Sequence, residues 1–169
     1  MSEVTGPAPA EGPADLHWLE RAMELSRSCP PSNTAFSVGA VVVCAAGRVL
    51  GEGYSRREDP HEHAEEVALG GIDPDDPRLA TATIYSSLEP CSDRASRPRS
   101  CTDLILGTPI PRIVLAWREP ALFVDCEGAE RLNRAGRTVV EYPELAERVR
   151  EVNAHLLDPP SGPTGGSRR

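Results

Sequence analysis

Two runs of this sequence leave little choice of architecture. Val38 to Cys44 reads VGAVVVC and Arg112 to Trp117 reads RIVLAW, β-branched and apolar at nearly every position. A strand with one wet face alternates polar and apolar residues, so strands without that alternation need cover on both faces. The stretches around them supply it. Leu16, Leu19 and Met23 recur at helical spacing behind Asp15, the expected N-cap of a helix over Asp15 to Ser28. "AAGR" makes a turn, and Val49 to Tyr54 returns as the hairpin partner of the first run. His63 to Leu69 has helical composition and stops at Gly70-Gly71; Ala82 to Ser87 reads as a strand, and Thr102 to Leu106 as a helix before Gly107. Glu127 to Ala135, Thr138 to Glu141 and Pro143 to Leu157 follow as helix, strand and a last helix with Pro at N1. The pattern predicts an α/β fold, a three-layer α/β/α sandwich around a mixed five-stranded sheet.

The folding unit is expected over residues 15–157. Residues 1–14 and 158–169 are rich in Pro, Gly and small residues without periodicity and read as disordered tails. The net charge of -8 argues against a partner gripped through duplex nucleic-acid phosphates. All 18 basic residues are Arg, so no lysine is available for Schiff-base chemistry. No segment reads as a signal peptide or a membrane span, which gives the expectation of a cytoplasmic protein with no membrane partner. The five cysteines are an odd number in such a chain and read as thiols.

Residues 61–69, HEHAEEVAL, gather two histidines and three carboxylates at the start of a helix. Cys91 follows a strand in SSLEPC, and Cys101 opens the next helical pattern. Helix N-termini favour the thiolate that a metal needs. One imidazole, His63, with two thiolates, Cys91 and Cys101, suits Zn2+, and three protein ligands leave the open position of a catalytic site. Glu65, two residues beyond His63, reaches that position without being a ligand and can take a proton from water there. This is the chemistry of a hydrolytic deaminase, in which water replaces an amino group on a ring carbon.

Zinc nucleobase deaminases carry H-x-E followed by P-C-x-x-C. This chain has HAE and EPC, but nine residues separate its two cysteines. That longer gap, with LEPCS and a proline shortly before the second cysteine, resembles the pyrimidine deaminase domain of riboflavin-biosynthesis enzymes, whose pattern is HAE then LEPCSH…PPC. The resemblance runs from about Asn33 to Val140 and includes GEGY and RIVLAWREP. It implies the cytidine-deaminase-like fold, His63, Cys91 and Cys101 as zinc ligands, and Glu65 as the proton shuttle. It further implies an aminopyrimidine nucleoside or nucleotide as small-molecule partner, and a homo-oligomer, dimer or tetramer.

The departures fall on the substrate pocket. AFSVG stands where the riboflavin type has NPxVG, which puts Ala35 in place of Asn and is closer to the FxVGA of free cytidine deaminases. Ser55 replaces a His, Glu119 the Asp of DPN, and Asp93 another His. Arg94, Arg97 and Arg99, between the thiolates, either clamp a substrate 5′-phosphate or form an exposed charged loop. Glu119 either binds a substrate amino group or ribose, or caps a surface strand. Asn33 either replaces the missing amide or is a turn residue. Ala64 and Glu89, beside the ligands in the two motifs, complete the substrate-binding set with Asn33, Arg94, Arg97 and Glu119. His61 reads as a solvated loop residue and Trp117 as core packing. The reading is a zinc-dependent hydrolytic deaminase most like the diaminohydroxyphosphoribosylaminopyrimidine deaminase of riboflavin biosynthesis. The alternatives are a cytidine or deoxycytidylate deaminase and, from another class, a zinc-stabilised binding module whose catalytic role has lapsed.

Overall fold

The computed structural model describes residues 13–120 and 126–157. The expected tail 158–169 and residues 1–12 of the other lie outside the described residues. Five strands form one mixed sheet in the order β2-β1-β3-β4-β5. They are β1 (Gly39–Val43), β2 (Val49–Tyr54), β3 (Thr83–Leu88), β4 (Arg112–Trp117) and β5 (Thr138–Glu141). The β1–β2 hairpin and the β1–β3 pair are antiparallel, while β3–β4 and β4–β5 are parallel. Among the described residues six helices cover the sheet: α1 (Pro13–Ser26), α2 (Ala64–Gly70), α3 (Cys101–Leu106), α4 (Gly128–Arg134), α5 (Ala146–Val152) and α6 (Ala154–Leu157).

The two-fold period of the strands sorts the core into two layers. Ala40, Val42, Ile84 and Ile113 meet Ala64, Ala68, Ile105 and Leu132 of α2, α3 and α4 on one face. Val41, Val43, Tyr85 and Val114 meet Leu19, Ala22 and Met23 of α1 and Val149 of α5 on the other. The unalternating strands are therefore buried on both sides, and the predicted α/β/α sandwich is the observed fold. No helix among the described residues is long and apolar enough to cross a membrane.

Helix α2 approaches β2 more closely than ordinary side chains permit. A Cβ on Gly51 would lie 2.2 Å from the Ala68 carbonyl oxygen, and one on Gly53 2.6 Å from Val67 Cβ. Parallel β3 and β4 then bring their C-terminal ends to the same edge, beside the N-terminal end of antiparallel β1. In sheets of this kind ligands bind beyond the carboxyl ends of the strands.

Two local expectations fail, each for a visible reason. Helix α1 starts at Pro13, two residues before its expected cap, so residues 13 and 14 belong to it. Asp15 does not cap the helix; it is buried in its first turn and receives four hydrogen bonds. Arg112 donates to both oxygens at 2.7 and 2.6 Å, Tyr85 to Oδ1 at 2.9 Å and Tyr142 to Oδ2 at 2.8 Å. The last helix is also broken: a 3-10 turn over Pro143–Leu145 leads into α5, and Asn153 separates α5 from α6. The Asn153 amide is wholly buried and pairs with the backbone of Ser37, accepting from its N–H at 2.7 Å and donating to its carbonyl at 3.2 Å. That pairing pulls the residue out of helical geometry.

Burial alone would raise the Asp15 carboxyl, but the Arg112 guanidinium and the two tyrosine hydroxyls outweigh it and hold the group below its ordinary range. Its folded pKa lies below the unfolded value of about 3.9, so its contribution to stability is complete above that value and drains away as pH falls. Asp15→Asn should cost about 3–5 kcal/mol in urea unfolding near neutral pH, because Arg112 is left buried without its counter-charge. The difference from the parent should shrink as pH drops below about 4.

Candidate metal centre and active site

The three expected ligands converge at the edge where β3 and β4 end. His63 occupies the N-cap position of α2 with extended backbone and makes no side-chain capping bond, so its ring is available for another purpose. Cys91 lies three residues past β3. Cys101 is the first residue of α3, whose start is set by a reciprocal capping box: Ser100 Oγ accepts from the Asp103 N–H at 3.1 Å and Asp103 Oδ2 from the Ser100 N–H at 3.0 Å. Arg131 of α4 donates to the other Asp103 oxygen at 2.6 Å, and with Ser100 it holds that carboxyl at about 2.

His63 Nδ1 stands 3.5 Å from Cys91 Sγ and 3.4 Å from Cys101 Sγ, and all three ligand atoms lie within 4.8 Å of one another. Tetrahedral zinc with Zn–N of about 2.0–2.1 Å and Zn–S of about 2.3 Å would place such nitrogen and sulfur atoms roughly 3.5–3.6 Å apart. The donor set fits zinc in spacing and in kind. The backbone N–H of Cys101 points at Cys91 Sγ from 3.3 Å. The Cys101 thiol, opposed by burial and aided by His63, drives Cys91 down into the thiolate form, while the same partnership pushes Cys101 up.

Glu65 sits in the first turn of α2, 3% exposed. Ser86 of β3 lies 2.8 Å from its Oε1. Burial first, and then the neighbouring Cys91, push its carboxyl up toward the proton-carrying form. His63, Cys91 and the Glu65 carboxyl open onto one cleft of about 730 Å³, whose wall also includes Phe36, Arg56 and Glu119, while Cys101 lies wholly buried behind them.

The other expected contacts divide. Glu119 lies on the cleft wall; burial, then the charges of Cys91, Glu65 and Glu89, push it up to about 7. Ala35 also lines the cleft. Glu89 reaches the cleft, but its two oxygens accept from the backbone N–H groups of Glu119 at 3.1 Å and Ala129 at 2.9 Å, so it ties the end of β4 to α4. Ala64 is wholly buried in the core cluster beneath. Asn33 is exposed and lines a neighbouring cavity of about 500 Å³ with Arg27, Glu151 and His155, away from the metal cleft.

Arg94 has a buried side chain, donating to the His61 carbonyl at 2.6 Å and to Glu66 Oε2 at 3.3 Å. Arg97 donates to Glu66 Oε2 at 3.4 Å and pairs with Asp59 at 3.4 Å. Both guanidinia tether the loop to α2 and to the segment before it, while Asp93, Ala95, Ser96, Pro98 and Arg99 of the loop are exposed. Trp117 packs edge-on against Phe36, with ring centroids 6.1 Å apart, as core. All five cysteines are free thiols.

Two neighbours of the site carried no signal in the sequence. Arg56 has left-handed backbone, with φ of 58°. Its buried guanidinium donates to the carbonyls of Pro30 and Phe36 and to Ser37 Oγ, clamping the segment that forms one cleft wall. Ser86 lies within a strand, where nothing marks it apart from its neighbours.

The comparisons agree with this geometry. A family model of the cytidine and deoxycytidylate deaminase zinc-binding region matches residues 13–117. The diaminohydroxyphosphoribosylamino-pyrimidine deaminase of Schizosaccharomyces pombe is 40% identical over 126 residues, covering 73% of this chain and 31% of that protein. The riboflavin biosynthesis protein RibD of Aquifex aeolicus is 37% identical over 143 residues, 82% of this chain and 37% of its own length. The deaminase/reductase of Thermotoga maritima superposes with a TM-score of 0.74 at 31% identity, over 85% of this chain and 40% of that one. The chain spans about a third of the length of the curated relatives it matches.

Metal analysis of the purified protein should find one zinc per chain. Cys101→Ser should lose it, whereas Cys29→Ser, remote from the cluster, should retain the full amount.

Proposed function

The chain belongs to the cytidine and deoxycytidylate deaminase zinc-binding family, and from that premise we propose that it is a zinc-dependent hydrolytic deaminase of an aminopyrimidine nucleotide. The substrate we propose is the diaminohydroxyphosphoribosylaminopyrimidine for which the Schizosaccharomyces pombe relative is named. The observation that carries the activity is Glu65, a buried carboxyl opening onto the same cleft as His63 and Cys91, two members of the cluster that Cys101 completes. A purely structural zinc site has no use for such a group.

His63 Nδ1 and the Cys91 and Cys101 sulfurs would hold the zinc beside the cleft. The chemistry zinc supplies there is a water acidified enough to attack near neutral pH. Glu65 takes one proton of the attacking water and passes it to the ring nitrogen next to the amino-bearing carbon; it then takes the second, from the hydroxyl now on that carbon, and delivers it to the departing amine. The balance is water in, ammonia out, with a carbonyl where the amino group stood. Two anionic thiolates reduce the acidifying power of the metal, which puts more of the work on Glu65.

Glu119, with a carboxyl near neutrality, is suited to a substrate group that both donates and accepts hydrogen bonds. Arg94 keeps its buried Nε without an acceptor. That supports a substrate phosphate drawing the arginine loop partly away from Glu66. A second reading, cytidine or deoxycytidylate as substrate, is favoured by Phe36 on the cleft wall within the segment FSVGA.

Ammonia release by the zinc-loaded protein should be measured with diaminohydroxyphosphoribosylaminopyrimidine, cytidine, deoxycytidine and the two monophosphates. Turnover of the first is expected; turnover confined to a cytidine compound would transfer the assignment to the second reading. Glu65→Ala should retain zinc and its melting temperature while losing at least about a hundredfold in kcat. A variant as active as the parent would overturn the mechanism.

A further inference from the structure

Ser86 is the fourth residue of β3, wholly buried, and it pairs with Ala40 of β1 and Leu115 of β4. By the alternation of the strand it shares a face with Ile84 and Leu88, both members of the apolar cluster under α2. A hydroxyl in such a place is costly unless it is hydrogen-bonded. It has two oxygen neighbours, Glu65 Oε1 at 2.8 Å and the Leu88 carbonyl at 2.7 Å. Among the described residues it also supplies the one side-chain hydrogen bond to the Glu65 carboxyl.

We propose that Ser86 is a positioning residue for the reaction, pinning Glu65 Oε1 to the floor of the cleft and leaving Oε2 to the reacting atoms. The terminal torsion of a glutamate is broad and nearly two-fold, so an unpinned carboxyl spreads over many orientations. Proton transfer needs the carboxyl held to roughly 0.5 Å and 10–20°. A hydroxyl suits this task because it donates to Oε1 from within the strand. It gives its proton to Oε1 while the carboxyl is ionised. It goes on doing so when the transferred proton sits on Oε2, the oxygen left to the reacting atoms. The anchor thus holds through both halves of the transfer without movement of a heavy atom, which lowers the reorganisation the reaction demands.

The inference rests on the deaminase reading, and its test separates the two. The zinc-loaded parent and Ser86→Ala would be compared by zinc content, by kcat and KM for diaminohydroxyphosphoribosylaminopyrimidine, and by crystal structures. Alanine is smaller than serine, so the variant can be accommodated without clash. Zinc content should be unchanged, kcat should fall about tenfold to a hundredfold, and KM should stay within about twofold. In a Glu65→Gln background the same change should cost less than about twofold, because its target is already gone. The crystals should show the Glu65 carboxyl turned or spread in the variant. Unchanged kcat, a loss shared with KM and zinc, or an unmoved carboxyl would overturn the proposal. If the parent releases no ammonia from this probe, the substrate assignment fails instead, and the carboxyl orientation in the two crystals still decides the role of Ser86.

Discussion

Helix α2 carries His63 at its N-cap, Glu65 in its first turn, and Glu66, which holds the arginine loop. All three depend on how deeply the helix sits against the hairpin, and that depth exists because β2 presents Gly51 and Gly53 to it. With any side chain there the Cβ would fall 2.2 Å from one backbone oxygen or 2.6 Å from Val67 Cβ, so helix or strand would have to give way. A core packed to crystal density transmits such a shift. Moving α2 outward by an ångström would pull His63 Nδ1 away from the two sulfurs, which are anchored elsewhere, three residues past β3 and at the start of α3. Two absent side chains in an edge strand therefore set the geometry of a site to which they contribute no atom.

The buried charges of the molecule fall into two kinds. Asp15 has four donors, Glu89 two backbone N–H groups and Arg56 a set of carbonyls, so each is close to saturated and serves to fasten segments together. Glu65 is more deeply buried than its polar contacts justify, with a single serine hydroxyl on one oxygen. A fastening carboxylate in that state would be a defect. In a cleft, beside a cation site, the unmet bonding capacity is what makes the group ready to receive and release a proton.

What could be read from the sequence follows the range of the interactions concerned. The strands were legible because β-branched runs declare themselves locally, and the cluster of His63, Cys91, Cys101 and Glu65 because its chemistry requires particular residue types in a particular order. What escaped reading depends on distant partners. Asp15 looked like a cap until Arg112, 97 residues away, claimed its carboxyl. The final helix looked continuous until Ser37, 116 residues away, took the amide of Asn153. Arg94 and Arg97 were read without partners because Glu66, 28 and 31 residues away from them in sequence, meets them only in the fold. Asn33 was placed by analogy with a residue this chain lacks; its neighbours Ser32, Thr34 and Ala35 line the metal cleft, but Asn33 itself lines a different cavity.

The same division explains why the reaction is easier to name than the substrate. The floor of the cleft is made by the ends of regular elements, namely the first turn of α2 and the end of β3, whose positions are dictated by the sheet. Its walls come from the segments around Phe36, His61, Arg94 and Glu119, which the sheet does not dictate. Water activation needs only the floor. Discrimination between rings needs the walls, since a pocket rejects a wrong ligand chiefly by leaving its own polar groups unpaired. These walls are nonetheless held in place, one by the Arg56 clamp and another by the Arg94–Glu66–Arg97 tether. Rigid walls that differ from those of the family pattern, set over a floor that keeps it, are what a change of substrate within one chemistry would produce. They are equally what a second set of contacts for the same substrate would produce. The two cases differ only in which polar groups a bound pyrimidine leaves unsatisfied, and Glu119, the wall carboxyl with a pKa near neutrality, is where that difference would be felt most.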